Sequence, residues 1–389
     1  MGAPVAGTAS EGGRGGARLR RRERRSLLLV GARRVAQLGA WSFPAASRAA
    51  PAPSSPVRAG HGHAARLTGV LAISAVPTEA ATLIQTIDTS KWNPASPDPS
   101  GIAYRPSADR LIVVDSEVDE KTGAGYHGVN LWVMTRGGNV TDTGTTLAFT
   151  PEPTGAGFDP ATETLFISTD AGNKIYLDRT GPDGRFGTSD DTRTSIDTRA
   201  YGLTDTEDPE FDPITGHLFF VDGVTAEVYD LDPVNGVFGD GNDSLSHFDV
   251  GKYGASDTEG LASDPNRNTL LVGDRPSRKI YEVTKEGALV RIIDASGIAG
   301  MKRISGLAMA PGSTDPSVLH YWIVDRAVDN GSNSSENDGK IFEIATAQAG
   351  NTPPVVSAGP DQTVVLPDAA NLQGSVFDDG LPSPPGTTT

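Results

Sequence analysis

No cysteine occurs in the 389 residues, which excludes a disulfide framework and thiolate zinc sites and leaves the redox compartment undetermined. Apolar runs are short: Ser26-Leu27-Leu28-Leu29-Val30 is cut by Arg33-Arg34, and Val70-Leu71-Ala72-Ile73 is far below the roughly 20 residues a membrane-spanning helix needs. Aromatics make up only 6% of the chain. Positive charge is scarce beyond residue 81, where 21 Lys and Arg face 46 Asp and Glu. That balance disfavours DNA, RNA and anionic lipid, which reward clustered Lys and Arg, and favours cations or basic ligands. Missing too are a G-x-S-x-G elbow, an H-E-x-x-H pair and a phosphate-binding glycine loop leading into a helix. The histidines are scattered and read as structural or exposed, so no nucleophile and base pair can be named.

What is abundant is turn chemistry, with 46 Gly and 28 Pro separating β-branched runs of four to six residues. A phrase of the type Gly-apolar-small-x-x-Pro recurs with anchors at Gly101, Gly155, Asp208, Gly260 and Gly306 and closing prolines at Pro106, Pro160, Pro213, Pro265 and Pro311. After each comes an apolar strand such as Leu111-Ile112-Val113-Val114-Asp115 or Tyr321-Trp322-Ile323-Val324-Asp325, and then a third strand. A unit repeated at about 50 residues, strands only, predicts an all-β propeller of five blades, with a six-bladed ring containing one divergent blade as the alternative. An open ring would leave an unpaired sheet edge. Leu83-Ile84-Gln85-Thr86-Ile87-Asp88 lacks a blade of its own, and the last repeat stops after its third strand, so this segment is expected to close the ring.

The second and third repeats share a loop. Asp183-Gly184-Arg185-Phe186-Gly187-Thr188-Ser189-Asp190-Asp191 returns as Asn235-Gly236-Val237-Phe238-Gly239-Asp240-Gly241-Asn242-Asp243. Oxygens of Asp183, Asp190 and Asp191, and of Asn235, Asp240, Asn242 and Asp243, can converge on a hard cation, so Ca²⁺ is the expected cofactor. The spacing is not that of an EF-hand. The competing reading is a pair of solvated turns in which Gly and Asx residues serve geometry and Phe186 or Phe238 plugs the blade edge. A second acidic pair, Asp115 to Glu120 and Asp325 to Asn330, lies on the first and last repeats, which ring closure makes neighbours.

Ser100-Gly101-Ile102-Ala103-Tyr104 and Asp257-Thr258-Glu259-Gly260-Leu261-Ala262 resemble the blade openings of extracellular esterase-like-phytase, gluconolactonase and NHL-type propellers. The resemblance implies acidic residues at the channel mouth that hold a metal against a phosphoryl or lactone oxygen. Only Glu207 and Glu259 match such positions, as candidate catalytic residues. Asn351-Thr352-Pro353-Pro354-Val355-Val356-Ser357-Ala358-Gly359-Pro360-Asp361 resembles the opening of PKD-type immunoglobulin-like modules, of which 351–389 would be a truncated start containing a hairpin. The expected organisation is therefore a disordered, basic, Ala- and Pro-rich segment over 1–81 that holds a candidate signal peptide, a propeller over 82–347 and the module fragment over 351–389. The expected function is a secreted or cell-surface, monomeric, calcium-binding module whose rim takes a carbohydrate, peptide or small molecule. The alternative is a calcium-dependent hydrolase of phosphoesters, esters or lactones acting at Glu207 and Glu259.

Overall fold

A computed structural model describes residues 76–118, 128–169, 172–326 and 337–346, and the backbone of 355–357 and 375–377. The expected signal segment, the acidic insertions beyond Val118 and Arg326, and most of the PKD-type stretch lie outside the described residues. In that stretch only a short antiparallel pair is described, Val355–Ser357 with Ser375–Phe377.

The chain is nearly all strand. Strand β1 (Thr78–Asp88) precedes a first blade of β2 (Pro99–Arg105), β3 (Arg110–Asp115), β4 (Leu131–Met134) and β5 (Val140–Gly144). The second blade is β6 (Pro153–Asp159), β7 (Thr164–Thr169), β8 (Lys174–Arg179) and β9 (Thr192–Asp197). The third is β10 (Thr206–Asp212), β11 (His217–Asp222), β12 (Glu227–Asp232) and β13 (Ser244–Asp249). The fourth is β14 (Thr258–Asp264), β15 (Thr269–Asp274), β16 (Lys279–Val283) and β17 (Leu289–Asp294). The fifth holds β18 (Gly306–Pro311), β19 (Leu319–Asp325) and β20 (Lys340–Thr346). Each blade is an antiparallel meander, as in Ile102↔Val113 and Val113↔Trp132.

Second strands such as Leu165-Phe166-Ile167 are buried on both faces because each lies between two neighbouring blades, which is why they read as unbroken apolar runs. Outer strands such as β13 are mostly exposed and carry polar residues. The recurrent proline opens the tight turn between the first and second strands. Asp109 donates its backbone N–H to the Pro106 carbonyl at 3.2 Å and takes a left-handed φ of 51°, as Glu163 and Asn268 do at the same place in their repeats.

Five buried apolar clusters fill the junctions between successive blades, the last joining Ile102, Val113 and Met134 of the first blade to Trp322, Val324 and Ile341 of the fifth. Closure is by β1, as expected. Ala81–Asp88 pairs antiparallel with β20, for example Thr86↔Phe342 and Asp88↔Lys340, and completes the fifth blade. The strand starts earlier than the expected boundary at 82: Thr78, Glu79 and Ala80 run parallel to Ile292, Ile293 and Asp294, so one strand ties the fourth blade to the fifth. The Glu79 carboxylate, 2.5 Å from the Arg291 guanidinium, secures that extension.

Candidate functional site

The inner strands β2, β6, β10, β14 and β18 adjoin one another around the axis, and the repeat anchors mark their closest approach. A Cβ on Gly101 would stand 2.5 Å from the Gly155 Cα, and one on Gly155 would stand 2.5 Å from the Asp208 Cα. Glycine is required at both by this contact of backbones. Asp208 is the exception. Its fully buried carboxylate accepts the backbone N–H groups of Ala156 at 2.8 Å, Leu261 at 3.0 Å and Leu307 at 3.1 Å, one from each of three other blades. These donors face away from their own sheets and would otherwise be orphaned. Burial lifts the Asp208 pKa well above the carboxylate range, against the pull of the three donors. Glu210, also lifted by burial, accepts the Ser263 N–H at 2.9 Å in the same way. At this level the Asp208 carboxylate bridges four blades at the axis.

Glu207 and Glu259 lie one residue to the side of those anchors and are 4% and 2% exposed. Glu259 faces cations: Arg275 Nη1 is 2.6 Å from its Oε1 and Arg326 Nη2 is 3.6 Å away, while Arg275 also lies 3.7 Å from Asp257. Burial nevertheless raises the Glu259 pKa, with Arg326 and Arg275 opposing it. Glu207 gathers with Asp205 and Asp257 around Gly223, where a Cβ would meet the three side chains at 3.1–3.5 Å. The structure therefore brings the two glutamates into one charged cluster but adds two arginines that sequence reasoning missed. A signal for them existed, since Asp274-Arg275 and Asp325-Arg326 occupy the same place in successive repeats. The preceding aspartates are structural. Asp222 accepts N–H groups of Thr204, Val224 and Thr225, Asp274 those of Ser256, Asp257 and Ser277, and Asp325 those of Lys302 and Arg303.

The two acidic loops each reach back to the preceding blade. Phe186 is 2% exposed and packs edge-on to Phe158 at 6.1 Å, with Thr145 donating to the Gly187 carbonyl. Phe238 sits edge-on to Phe166 at 5.8 Å, and Gly239 lies against Ser195 and Ile196 of β9. The aromatic plug is thus in place in both copies. The polar parts differ. Carboxylate oxygens of Asp183, Asp190 and Asp191 lie within 4.8 Å of one another, the only trio of acids and histidines so close among the described residues. Asp191 is also bound by Arg193 at 2.9 Å and by the Thr188 N–H at 2.8 Å. In the second copy the Asn235 and Asn242 amides donate to Asp240 at 2.6 and 3.1 Å, and Asp243 accepts the Gly239 N–H at 2.8 Å.

A cleft of about 590 Å³ opens between the third and fourth blades, lined by His217, Asp230, His247, Arg267, Asn268 and Lys285 beside Phe219 and Phe248. His217 Nδ1 pairs with Asp230 at 2.7 Å, and His247 Nδ1 pairs with Glu227 at 3.0 Å while stacking on Tyr229 at 5.4 Å. Sequence reasoning set these histidines aside because they stand singly in the chain; their partners, Asp230 and Glu227, come from the adjacent strand β12 of the same blade.

No protein-family model and no curated protein matches the chain. Solved structures with a similar fold include the PQQ-bound aldose sugar dehydrogenase of Streptomyces coelicolor, 13% identical over 70% of this chain and 100% of that one, with a TM-score of 0.45. A streptogramin B lyase is 11% identical over 68% and 98%, with a TM-score of 0.40. The virginiamycin B lyase of Staphylococcus aureus is 11% identical over 68% and 99%, with a TM-score of 0.39. These likenesses concern the strand architecture alone. No described helix is long and apolar enough to cross a membrane.

Proposed function

We propose that the chain is a calcium-binding propeller of an exported, modular protein, related to the esterase-like-phytase, gluconolactonase and NHL-type group and followed by a PKD-type module, and that it acts by binding rather than by catalysis. The observation that carries this reading is the 590 Å³ cleft between blades three and four, where donors and acceptors of both signs stand beside the accessible rings of His247 and Phe248. Such a surface suits a carbohydrate, whose hydroxyls both donate and accept and whose ring faces stack on aromatics. Calcium is assigned to the Asp183, Asp190 and Asp191 trio, where like charges within 4.8 Å repel unless a cation or protons intervene. The ion pair of Arg275 with Glu259 and the Asp208 bridge favour binding over metal-dependent hydrolysis at Glu207 and Glu259.

Glycan-array screening of the full chain, followed by calorimetry on the best ligand, tests the reading. Loss of binding in His217→Ala and His247→Ala, with unfolding midpoints close to the parent's, is expected. Turnover of a phosphoester, ester or lactone that disappears in Glu207→Gln with Glu259→Gln would replace this reading by the hydrolase.

A further inference from the structure

Ring closure leaves a group at the junction of the first and fifth blades that the fold does not explain. Asp98, in the connection from β1 to β2, has 0% exposure, and neither of its carboxylate oxygens has a hydrogen-bond partner. Burying a carboxylate without donors costs several kcal/mol, and the group then keeps a proton or acquires a counter-ion. Its neighbours offer further oxygens rather than donors, so without a counter-ion the group keeps its proton, and a cation that enters must displace that proton. The Asp98 N–H is donated to Asp115 Oδ2 at 2.9 Å, which also takes the Ser96 hydroxyl at 2.7 Å. The charges acting on Asp98 are Asp115, Arg326, Glu117 and Asp338, three of the four negative. Burial, followed by Asp115, pushes its pKa up to about 10. Three more buried oxygens of this junction lack partners: Ser116 Oγ, Asn337 Oδ1 and Asp338 Oδ1. The segment is held tightly as well. Thr89 donates to the Gly339 carbonyl at 3.1 Å, its hydroxyl donates to the Ser96 carbonyl at 2.7 Å, and Asn337 donates to the Ser90 carbonyl at 3.2 Å.

We infer that this junction is a second cation site, distinct from the acidic loop, in which Asp98 with Asp115, Ser116 and Asp338 binds a hard divalent cation of the Ca²⁺ type and locks the first blade to the last. The ligands are all oxygens, as such a cation requires, and they come from both blades and from the closing connection, so occupancy couples directly to ring closure. The carboxylates are more widely spread than the acidic-loop trio, so binding would draw Asp98 and Asp338 toward Asp115. Arg326 is the competing counter-charge, but its guanidinium also lies 3.6 Å from Glu259.

Calcium titration of the full chelated chain by calorimetry, with unfolding midpoints in Ca²⁺ and in chelator, decides the matter. Asp98→Asn should bind one Ca²⁺ fewer per chain and, in chelator, should unfold at or above the parent's midpoint, because the amide removes an unpaired buried acid. Asp338→Asn, at a partly exposed position that a fold tolerates, should weaken the same event at least tenfold. Asp190→Asn with Asp191→Asn should leave it intact, which separates this site from the acidic loop: loss only in those loop variants would overturn the junction site while sparing the loop, and loss only in Asp98→Asn would do the reverse. Unchanged stoichiometry and affinity in both Asp98→Asn and Asp338→Asn, or no calcium binding by the parent, would overturn it.

Discussion

Asp208 and Asp98 are both fully buried aspartates beside inner strands, yet they sit at opposite extremes of satisfaction. Asp208 takes three backbone N–H groups from three blades, and Asp98 takes none. The difference follows from position. Asp208 replaces a glycine at the point where strand edges converge, so donors that lack a sheet partner surround it. Asp98 stands one step before its strand, at the junction that β1 closes, among carboxylates and hydroxyls. Burial by itself therefore says little about a carboxylate. The inventory of donors around it separates an internal staple from a ligand-binding group.

The largest expected effect is at the staple. Asp208→Ala leaves three buried N–H groups unpaired, each worth about 1–3 kcal/mol, so urea unfolding should show a loss of about 3 kcal/mol or more. Asn at the same place should recover part of it, since one amide oxygen can still accept. A loss below about 1 kcal/mol would mean that water replaces the carboxylate and would erase the contrast. Asp98→Asn should carry the opposite sign in chelator and should forfeit the calcium response, which at 100 times the dissociation constant amounts to about 2.7 kcal/mol.

A third buried acid sharpens the comparison, because it shares the closing junction with Asp98 but has donors. Glu343 on β20 accepts the Ser313 N–H at 2.8 Å and Gln85 Nε2 of the closing strand at 2.6 Å, and it pairs with His320 Nδ1 at 2.6 Å. Burial raises its pKa, but hydrogen bonds from Ser313, His320 and Gln85 outweigh that and leave it below the ordinary value. A depressed acid stabilises the fold above its unfolded value, near pH 4.3, and this contribution fades as pH falls through the lower folded value. Glu343→Gln should cost about 1 kcal/mol at neutral pH and should flatten the acid limb of the stability curve below about pH 4.3. An unchanged acid limb would show that Glu343 does not fasten β1.

Much of this architecture was legible in the sequence, since proline turns, unbroken second strands and a stray first strand are local patterns with one compact solution. The repeat anchors identified the axis without revealing the carboxylate that bridges it, because glycine spacing reports close approach but not which side chain lies beside it. The acidic loops were found by their repetition. Arg275, Arg326 and the cleft histidines were not: Arg275 meets Glu259, and His217 meets Asp230, from neighbouring strands of one blade, Arg326 meets Glu259 from the next blade, and no short spacing encodes such contacts. Asp98 holds the place of Asp205 and Asp257 in their repeats, three residues before the anchor. Its significance is a missing set of donors, which no linear pattern displays.

The smallest effect separates the two acidic loops. Both insert a phenylalanine between blades, but the first brings three carboxylates within 4.8 Å while the second satisfies Asp240 with the amides of Asn235 and Asn242. Asp190 and Asp240 are exposed, so in chelator Asp190→Asn and Asp240→Asn should each shift stability by no more than about 0.5 kcal/mol. Calcium should divide them. The parent and Asp240→Asn should gain together on calcium addition, whereas Asp190→Asn should gain less, since it lacks one ligand of the convergent trio. Equal calcium gains in all three would show that the trio is held together by Arg193 and backbone donors alone, and that the repeated loops serve only to carry Phe186 and Phe238 into the neighbouring blade.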